Sequence, residues 1–261
     1  MAAILKRKNM RKTIFISLAA FLLAAGAASA AQNQDIPEKN GAYDVPGRPD
    51  MKVRVFVHHP KAKPSALLQC SVNDPDSSAV VGPTKWKLPA GDWKYYLNAG
   101  SAPSSVGSLN FSRLADLSFA IWQNTEIETA NVNLKYEGST TLTRKALDGK
   151  NIVTFGSTSG SALGVTYTWY YPSTGMAVET DTILNKKFTW SWTPYLPDAC
   201  PNVNTYDAQN ILTHELGHWL GLNDNYTVDF ANNTMYGYGA KGEIKKDTLT
   251  TGDKAGVNNI Y

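Results

Sequence analysis

Residues 214–224 read HELGHWLGLND, and their types and spacing can do chemistry. His214 and His218 stand four apart. On a helix that spacing puts both imidazoles on one face, one turn apart, so two nitrogens can converge on one metal ion. Glu215, beside them, is a carboxylate that can take a proton from a water. Gly221 lets the backbone leave the helix in a left-handed conformation, and the returning chain can bring Asp224 back as a third ligand. Three protein ligands with one position open to water outline a catalytic zinc site. If each fixed residue occurs about one time in twenty, the pattern His-Glu-x-x-His-x-x-Gly-x-x-Asp arises by chance at a given start with odds of about 3 × 10⁻⁷. Over the whole chain the odds stay below roughly 10⁻⁴, so two histidines that merely pack explain the motif poorly.

Asp224 has a rival as third ligand. Glu243, with Asp247 four residues on, mimics zinc peptidases that take a glutamate from a downstream helix. Lys241 and Gly242 precede it without a good helix, and Gly221 would then have no purpose. The cysteines leave two readings open. Cys70 and Cys200 are expected to pair in an oxidising compartment, or else the Cys70 thiolate fills the open metal position in a latent precursor.

The compartment follows from the first thirty residues. Lys6, Arg7, Lys8, Arg11 and Lys12 form a basic head, Ile14 to Ala25 is an apolar run, and Ala28-Ser29-Ala30 has the small-x-small form of a cleavage site. Residues 1–30 therefore read as a secretory signal peptide, which makes the protein extracellular or periplasmic with no stable membrane insertion after cleavage. The full chain holds 25 Lys and Arg against 22 Asp and Glu; the signal carries five of the bases and no acid, leaving 20 against 22. The basic balance belongs to the targeting segment and gives no sign of a nucleic-acid partner.

The elements that must position the motif can be read in outline. Residues 31–80 are proline-punctuated and read as a pro-segment or linker, with one short strand over Val53 to Val57 and His58-His59 as surface histidines. Residues 81–261 read as the catalytic domain. Trp93–Leu97, Asn131–Tyr136, Asn151–Phe155, Gly164–Tyr171 and Met176–Leu184 are β-branched or aromatic runs between turn residues, and so predict strands. Leu114, Leu117, Ala120 and Ile121 predict a helix over 111–124. The metal helix starts near Asn204 or Thr205, with Asp207 favouring its positive end and Ala208, Ile211, Leu212, Leu216 and Trp219 on its apolar side. A last helix is expected over Thr251 to Tyr261.

These residues resemble the metzincin clan of zinc endopeptidases, and within it secreted bacterial matrixin-like proteases, over roughly residues 80–261. Met235, in NNTMYGYG, sits where that family has its methionine turn beneath the metal. LGVTYTW at 163–169 is similar to its substrate-side edge strand, MAVETDTILN at 176–185 to the strand after it, and LTTGDKAGVNNIY to its closing helix. The chain departs from the family in having Asp224 where a third histidine is usual. It also lacks histidines between His59 and His214, so no second, structural zinc is expected. Gly237 stands where two related families place a metal-binding tyrosine.

The resemblance implies an α+β fold: a twisted mixed β-sheet with two long helices, a zinc site in a cleft, and a small C-terminal subdomain with the methionine turn and closing helix. It implies a monomeric endopeptidase acting on protein or peptide substrates, with Glu215 as base in the attack of a zinc-bound water. A peptide would lie antiparallel to Leu163, Gly164, Val165 and Thr166. Tyr236 or Tyr238 would line the pocket beyond the scissile bond, and Gly221 and Met235 would shape the site. Calcium is a candidate second ion, with Asp181 and Asn223 as oxygen donors. A reading of another class is a secreted binding module, stabilised by metal and catalytically silent.

Overall fold

The computed structural model describes residues 36–61, 75–124, 126–127, 129, 131–194 and 202–261. The expected signal segment, Cys70 and Cys200 lie outside these residues, and so does the expected pairing of the two cysteines.

Among the described residues the chain forms ten strands and three α-helices. β1 (Gly41–Val45) and β2 (Arg48–Pro60) form an antiparallel hairpin. β3 (Gly91–Leu97) leads to α1 (Ser108–Ile121), then to β4 (Val132–Ser139), β5 (Asn151–Gly156), β6 (Gly164–Tyr171) and β7 (Met176–Asn185). β8 (Trp190–Ser191) and β9 (Tyr206–Asp207) form a small parallel pair just before α2 (Ala208–Trp219), and β10 (Tyr238–Gly239) precedes the closing helix α3 (Thr251–Asn258).

The main sheet runs in the order β1-β2-β6-β7-β5-β3-β4, with β10 paired to β2. Its β4, β3, β5 and β7 are mutually parallel; β6 runs antiparallel to them, and β2, antiparallel to β6, again runs in their direction. The fold is thus α+β with a mixed sheet. α1 and α2 pack on each other and on one face, around Phe111, Leu114, Phe119, Trp122, Phe155, Leu184, Leu216 and Trp219. The other face carries a second apolar cluster that includes Val53, Val55, Val57, Val165, Tyr167, Trp169 and Ile183.

Period-two alternation explains β2. Met51, Val53, Val55 and Val57 point to the second cluster, while Phe56 points across the sheet to the helices. The sequence suggested only five residues of strand here, inside a linker. The strand has 13 residues, and the hairpin shares one compact unit with residues 81–261. A strand of this length becomes stable because β6 offers it a complete hydrogen-bonding edge, a long-range partner that local periodicity does not register. β6 is consequently an interior strand of the sheet.

α1 starts three residues earlier than its apolar pattern indicated, and its buried face is Phe111, Leu114, Ala115, Ser118 and Phe119. Leu117, expected in that face, is 43% exposed. The face is set by the i, i+3, i+4, i+7 and i+8 positions from Phe111, which put Leu117 on the solvent side. α2 begins after Asp207, whose carboxylate accepts the amides of Gln209 and Asn210; Asn204 and Thr205 lie before the small strand and do not cap it. Every residue of α2 is buried, because the helix runs between the sheet and the C-terminal segment.

On β7, Glu179 and Asp181 are two buried carboxylates on one face of the strand. They bind the loop before β5 and the start of that strand: Glu179 accepts the amides of Asp148 and Gly149, and Asp181 those of Ala146 and Ile152. Both Asp181 oxygens are engaged this way. Asp181 belongs to no cluster of three metal-ligating side chains among the described residues, and the Asn223 amide donates to the Pro83 carbonyl. Burial pushes the Glu179 carboxyl up to about 7 against those two amide bonds, and raises Asp181 as well.

A carboxyl raised in the folded state binds its proton more tightly there than in the unfolded chain, so its effect on stability is lost as pH rises from the ordinary carboxylate value to the folded one. Unfolding free energy from urea titrations should therefore fall between about pH 4.5 and 7. Glu179→Gln should flatten that slope in part, leaving the shares due to Asp181, Asp207 and Glu215. An unchanged slope in the variant would refute the assignment.

Candidate metal centre

α2 positions the motif. Its one-turn spacing puts His214 and His218 side by side, with ring centroids 4.9 Å apart and planes at 90°. Each ring is fixed by its other nitrogen. The Nδ1–H of His214 donates to the Thr234 carbonyl at 2.7 Å, and that of His218 to the Leu222 carbonyl at 2.9 Å. A carbonyl can only accept, so both Nδ1 atoms carry the proton and both Nε2 lone pairs are left for a ligand.

The helix ends as the sequence suggested. Gly221 has φ +92°, the amide of Gly221 donates to the His218 carbonyl at 3.1 Å, and that of Leu222 to the Gly217 carbonyl at 3.1 Å. This Schellman pairing reverses the chain. A Cβ on Gly221 would also meet the Trp86 carbonyl at 2.5 Å. The reversal brings Asp224 back, so that its Oδ1 lies 3.1 Å from His214 Nε2 and 3.4 Å from His218 Nε2. Tyr226 donates to the other oxygen, Oδ2, at 3.0 Å, and the Asn40 amide donates in turn to the Tyr226 hydroxyl at 2.9 Å.

A tetrahedron with metal–ligand bonds near 2.05 Å has edges of about 3.3 Å, and the two observed separations bracket that value. His214 Nε2, Asp224 Oδ1 and Glu215 Oε1 are buried and have no hydrogen-bond partner. Each such atom left unsatisfied costs about 1–3 kcal/mol, a penalty that a bound cation would offset. The nitrogen and oxygen donors thus fit a divalent ion of the zinc type.

A fourth side chain belongs here. Ligand atoms of His58, His214 and Asp224 lie within 4.8 Å of one another, and the His58 ring is 3.9 Å from that of His214. His58 is 1% exposed, so the expectation of a surface histidine is corrected. Its β-strand context decides this: carrying the alternation of Val53, Val55 and Val57 one residue further puts His58 on the same face as Phe56, toward α2. Phe56 itself stacks on His218 at 3.7 Å with planes 3° apart. His59, one residue on, is half-buried. With β2 in place the expected cleft is covered, and His214, Glu215 and His218 are all buried.

Glu215 is held by the sheet. Its Oε2 accepts from the Thr166 hydroxyl at 2.6 Å, Thr166 takes the Thr182 proton at 2.7 Å, and Trp219 Nε1 donates to Thr182 at 2.9 Å. Each donor in this chain has one assigned acceptor, so the carboxylate has one orientation and Oε1 stays free. Gly164 makes room for it, since a Cβ there would lie 2.6 Å from Oε1.

Burial pushes the Glu215 carboxyl up to about 7 and the His214 imidazole down to about 4. Burial also opposes charge on Asp224 and His218, but each stabilises the other: the Asp224 carboxyl is held well below the usual range, and His218 is raised.

Met235 is fully buried, and its sulfur packs so closely on Gly217 that a Cβ there would lie 2.2 Å away. The turn carrying it is fastened by Asp253 of α3, which accepts the amides of Thr234 and Met235. Asp253 also closes a capping box with Thr250. Lys246 is wholly buried nearby, donating to the Tyr236 and Tyr238 carbonyls at 2.6 and 2.8 Å, and burial lowers its ammonium to about 8.

Glu243 lies outside the donor cluster, against Lys246 at 3.6 Å and the Asn210 amide at 3.4 Å. The rings of Tyr236 and Tyr238 stand 5.6 Å apart, and Tyr238 also faces Tyr226. Gly237 packs against Tyr226, where a Cβ would lie 2.3 Å from the ring. Leu163, Gly164, Val165 and Thr166 do not present a free edge: the Leu163 amide donates to the His58 carbonyl, and the other three pair with β2.

Sequence reasoning missed the burial of His58, and it missed Tyr226, Lys246, Asp253 and Thr182; Thr166 was expected only as part of the substrate strand and instead holds Glu215. Only His58 had a usable signal, in the alternation of VRVFVH. No family model matches the sequence, and no similar sequence is found among curated proteins.

Asp253→Ala should lower the unfolding free energy by about 2–5 kcal/mol, because two buried amides lose their acceptor. Urea denaturation would measure it. A change below about 0.5 kcal/mol, the size of an ordinary surface substitution, would show that Asp253 does not hold the turn.

Proposed function

We propose that the protein is a secreted zinc-dependent endopeptidase of metzincin type. The observation that carries this reading is a buried carboxylate, Glu215, with one oxygen fixed by Thr166 and the other unpartnered beside the His214, His218 and Asp224 donors. A site that only stabilises a fold needs no such group. The mixed sheet, the buried Met235 turn under α2 and the closing helix support the same reading.

His214, His218 and Asp224 would hold the ion. Zinc bound there supplies a Lewis acid that polarises a carbonyl and brings the pKa of water to near neutrality. Glu215 Oε1 accepts a proton from the attacking water as its oxygen bonds to the peptide carbon. The same atom returns the proton to the departing amine as the C–N bond breaks. Thr166 keeps the carboxylate from turning away. Protein or peptide chains are the substrates, bound through their main chain along β6.

The second reading, a silent metal-stabilised module, is favoured by one observation: His58 brings a fourth protein donor to the cluster, as in closed structural sites. Glu215 has no role in it.

In secreted protein, Glu215→Ala should slow casein hydrolysis by about 10²–10⁴-fold while one zinc per chain is retained by atomic absorption. Wild-type turnover in that variant would remove Glu215 from the mechanism. No chelator-sensitive hydrolysis in any processed form would remove the peptidase reading itself.

A further inference from the structure

A buried cation stands beside the metal centre with one hydrogen to give. Lys246 is fully buried, and an ammonium offers three hydrogens and no acceptor. Two of them go to the Tyr236 and Tyr238 carbonyls at 2.6 and 2.8 Å. Glu243 Oε1, at 3.6 Å, is too far for a hydrogen bond. The third hydrogen goes to His58: its Nε2 lies 3.3 Å from Nζ, and since an ammonium only donates, that nitrogen accepts.

The His58 ring fills a slot that has room for one side chain. Gly239 provides the space, since a Cβ there would meet Ile211 Cδ1, His58 Nε2 and Leu163 Cδ1 at 2.8, 2.9 and 3.0 Å. The His214 ring bounds another side, 3.9 Å away between centroids. Nε2 is a far atom of the His58 ring, so the ammonium lies at the inner end of the slot, beyond the apolar contacts of Ile211 and Leu163.

The slot opens at the reacting centre. His58 stands opposite Gly164 in the sheet, and Gly164 is the residue whose missing Cβ makes room for Glu215 Oε1. The carbonyls that hold Lys246 belong to Tyr236 and Tyr238, the residues expected beyond the scissile bond. A peptide bound along β6 lies where β2 lies, so the residue that follows its cleaved bond has this slot for its side chain.

We propose that Lys246 is a specificity-determining residue, selecting substrates in which the side chain after the cleaved bond ends in a hydrogen-bond acceptor, a carboxylate or a carboxamide. This deepens the endopeptidase reading and rests on it. Glutamate and glutamine carry an acceptor about as far from Cα as Nε2 is in histidine. An apolar side chain would suit Leu163 and Ile211 but would leave an ammonium hydrogen buried without a partner. A site built to bond a polar group rejects an analogue that lacks it far more strongly than an apolar pocket separates two apolar groups, so the ammonium decides the preference.

Three fluorogenic peptides differing only in that residue, as glutamate, glutamine or methionine, test this on the processed secreted protein, with the cleaved bond located by mass spectrometry. Methionine matches the other two in length and lacks their strong acceptor. Wild-type kcat/KM should be higher for the glutamate and glutamine peptides by about tenfold or more. A methionine peptide cleaved as fast as the others would overturn the proposal without any variant. Lys246→Met should bring the three values together. A merely structural lysine would instead slow all three peptides alike and keep their ratio, and that result, in a variant with wild-type circular dichroism and zinc content, would also overturn the proposal. Should the variant fail to fold, the wild-type ratio decides. Failure of the peptidase reading looks different: no hydrolysis of any of these peptides or of casein would remove the enzyme, and the inference with it.

Discussion

The molecule is organised around the orientation of two imidazoles on one turn of a buried helix. Each Nδ1–H is spent on a backbone carbonyl, from Thr234 in one case and Leu222 in the other, and each Nε2 is thereby aimed at the space beside Asp224. The two carbonyls lie on different segments, one in the methionine turn and one just past the helix end. The donor set is therefore only as exact as the placement of those two segments. That is why so much of the C-terminal third packs against itself: Asp253 fastens the turn from α3, Met235 fills the space against Gly217, and the Schellman end at Gly221 sets where Leu222 and Asp224 fall.

A second polar system supports the first from the sheet side. Trp219, Thr182 and Thr166 pass donated hydrogens in one direction to Glu215, and all four side chains are buried. Hydrogen bonds gain strength away from water, and a chain with every donor assigned gives a carboxylate a single orientation. The same low polarity raises the Glu215 carboxyl toward neutrality, so one environment both fixes the group and sets its proton affinity. At the far end of β7, Glu179 and Asp181 show the other use of buried carboxylates, as acceptors that tie a loop to the sheet.

The hairpin joins these parts. β6 has antiparallel β7 on one side and would leave its other side as an open edge; β2 closes that edge and spans the gap to β10. In doing so it completes the second apolar cluster with its valines and places Phe56 and His58 over His218 and His214. A segment that stabilises the sheet by pairing and burial at the same time shields the chemistry. The two effects come from opposite faces of one strand, so alternation at a period of two links them.

Most of the local structure was legible in the sequence. β6 falls on the residues expected of it, β3, β4, β5 and β7 differ by a few terminal residues, and Gly221 turns the chain as its position required. These features follow from near-neighbour rules: side-chain alternation, helical spacing, and the freedom of glycine at positive φ. The motif His214, Glu215, His218 and Asp224 was legible for the same reason, since its geometry is fixed within eleven residues of chain. Where prediction missed, the deciding partner was distant. Leu117 turned outward because α1 is oriented by the sheet and α2, and the extent of β2 was set by β6, more than a hundred residues away. Tyr226, Lys246 and Asp253 reach the site from segments whose own sequences give little hint of it. The sequence by itself determined which side chains could bind a metal and move a proton. Only the tertiary structure decided what surrounds them, because burial and strand pairing are settled by contacts between segments that local sequence does not bring together.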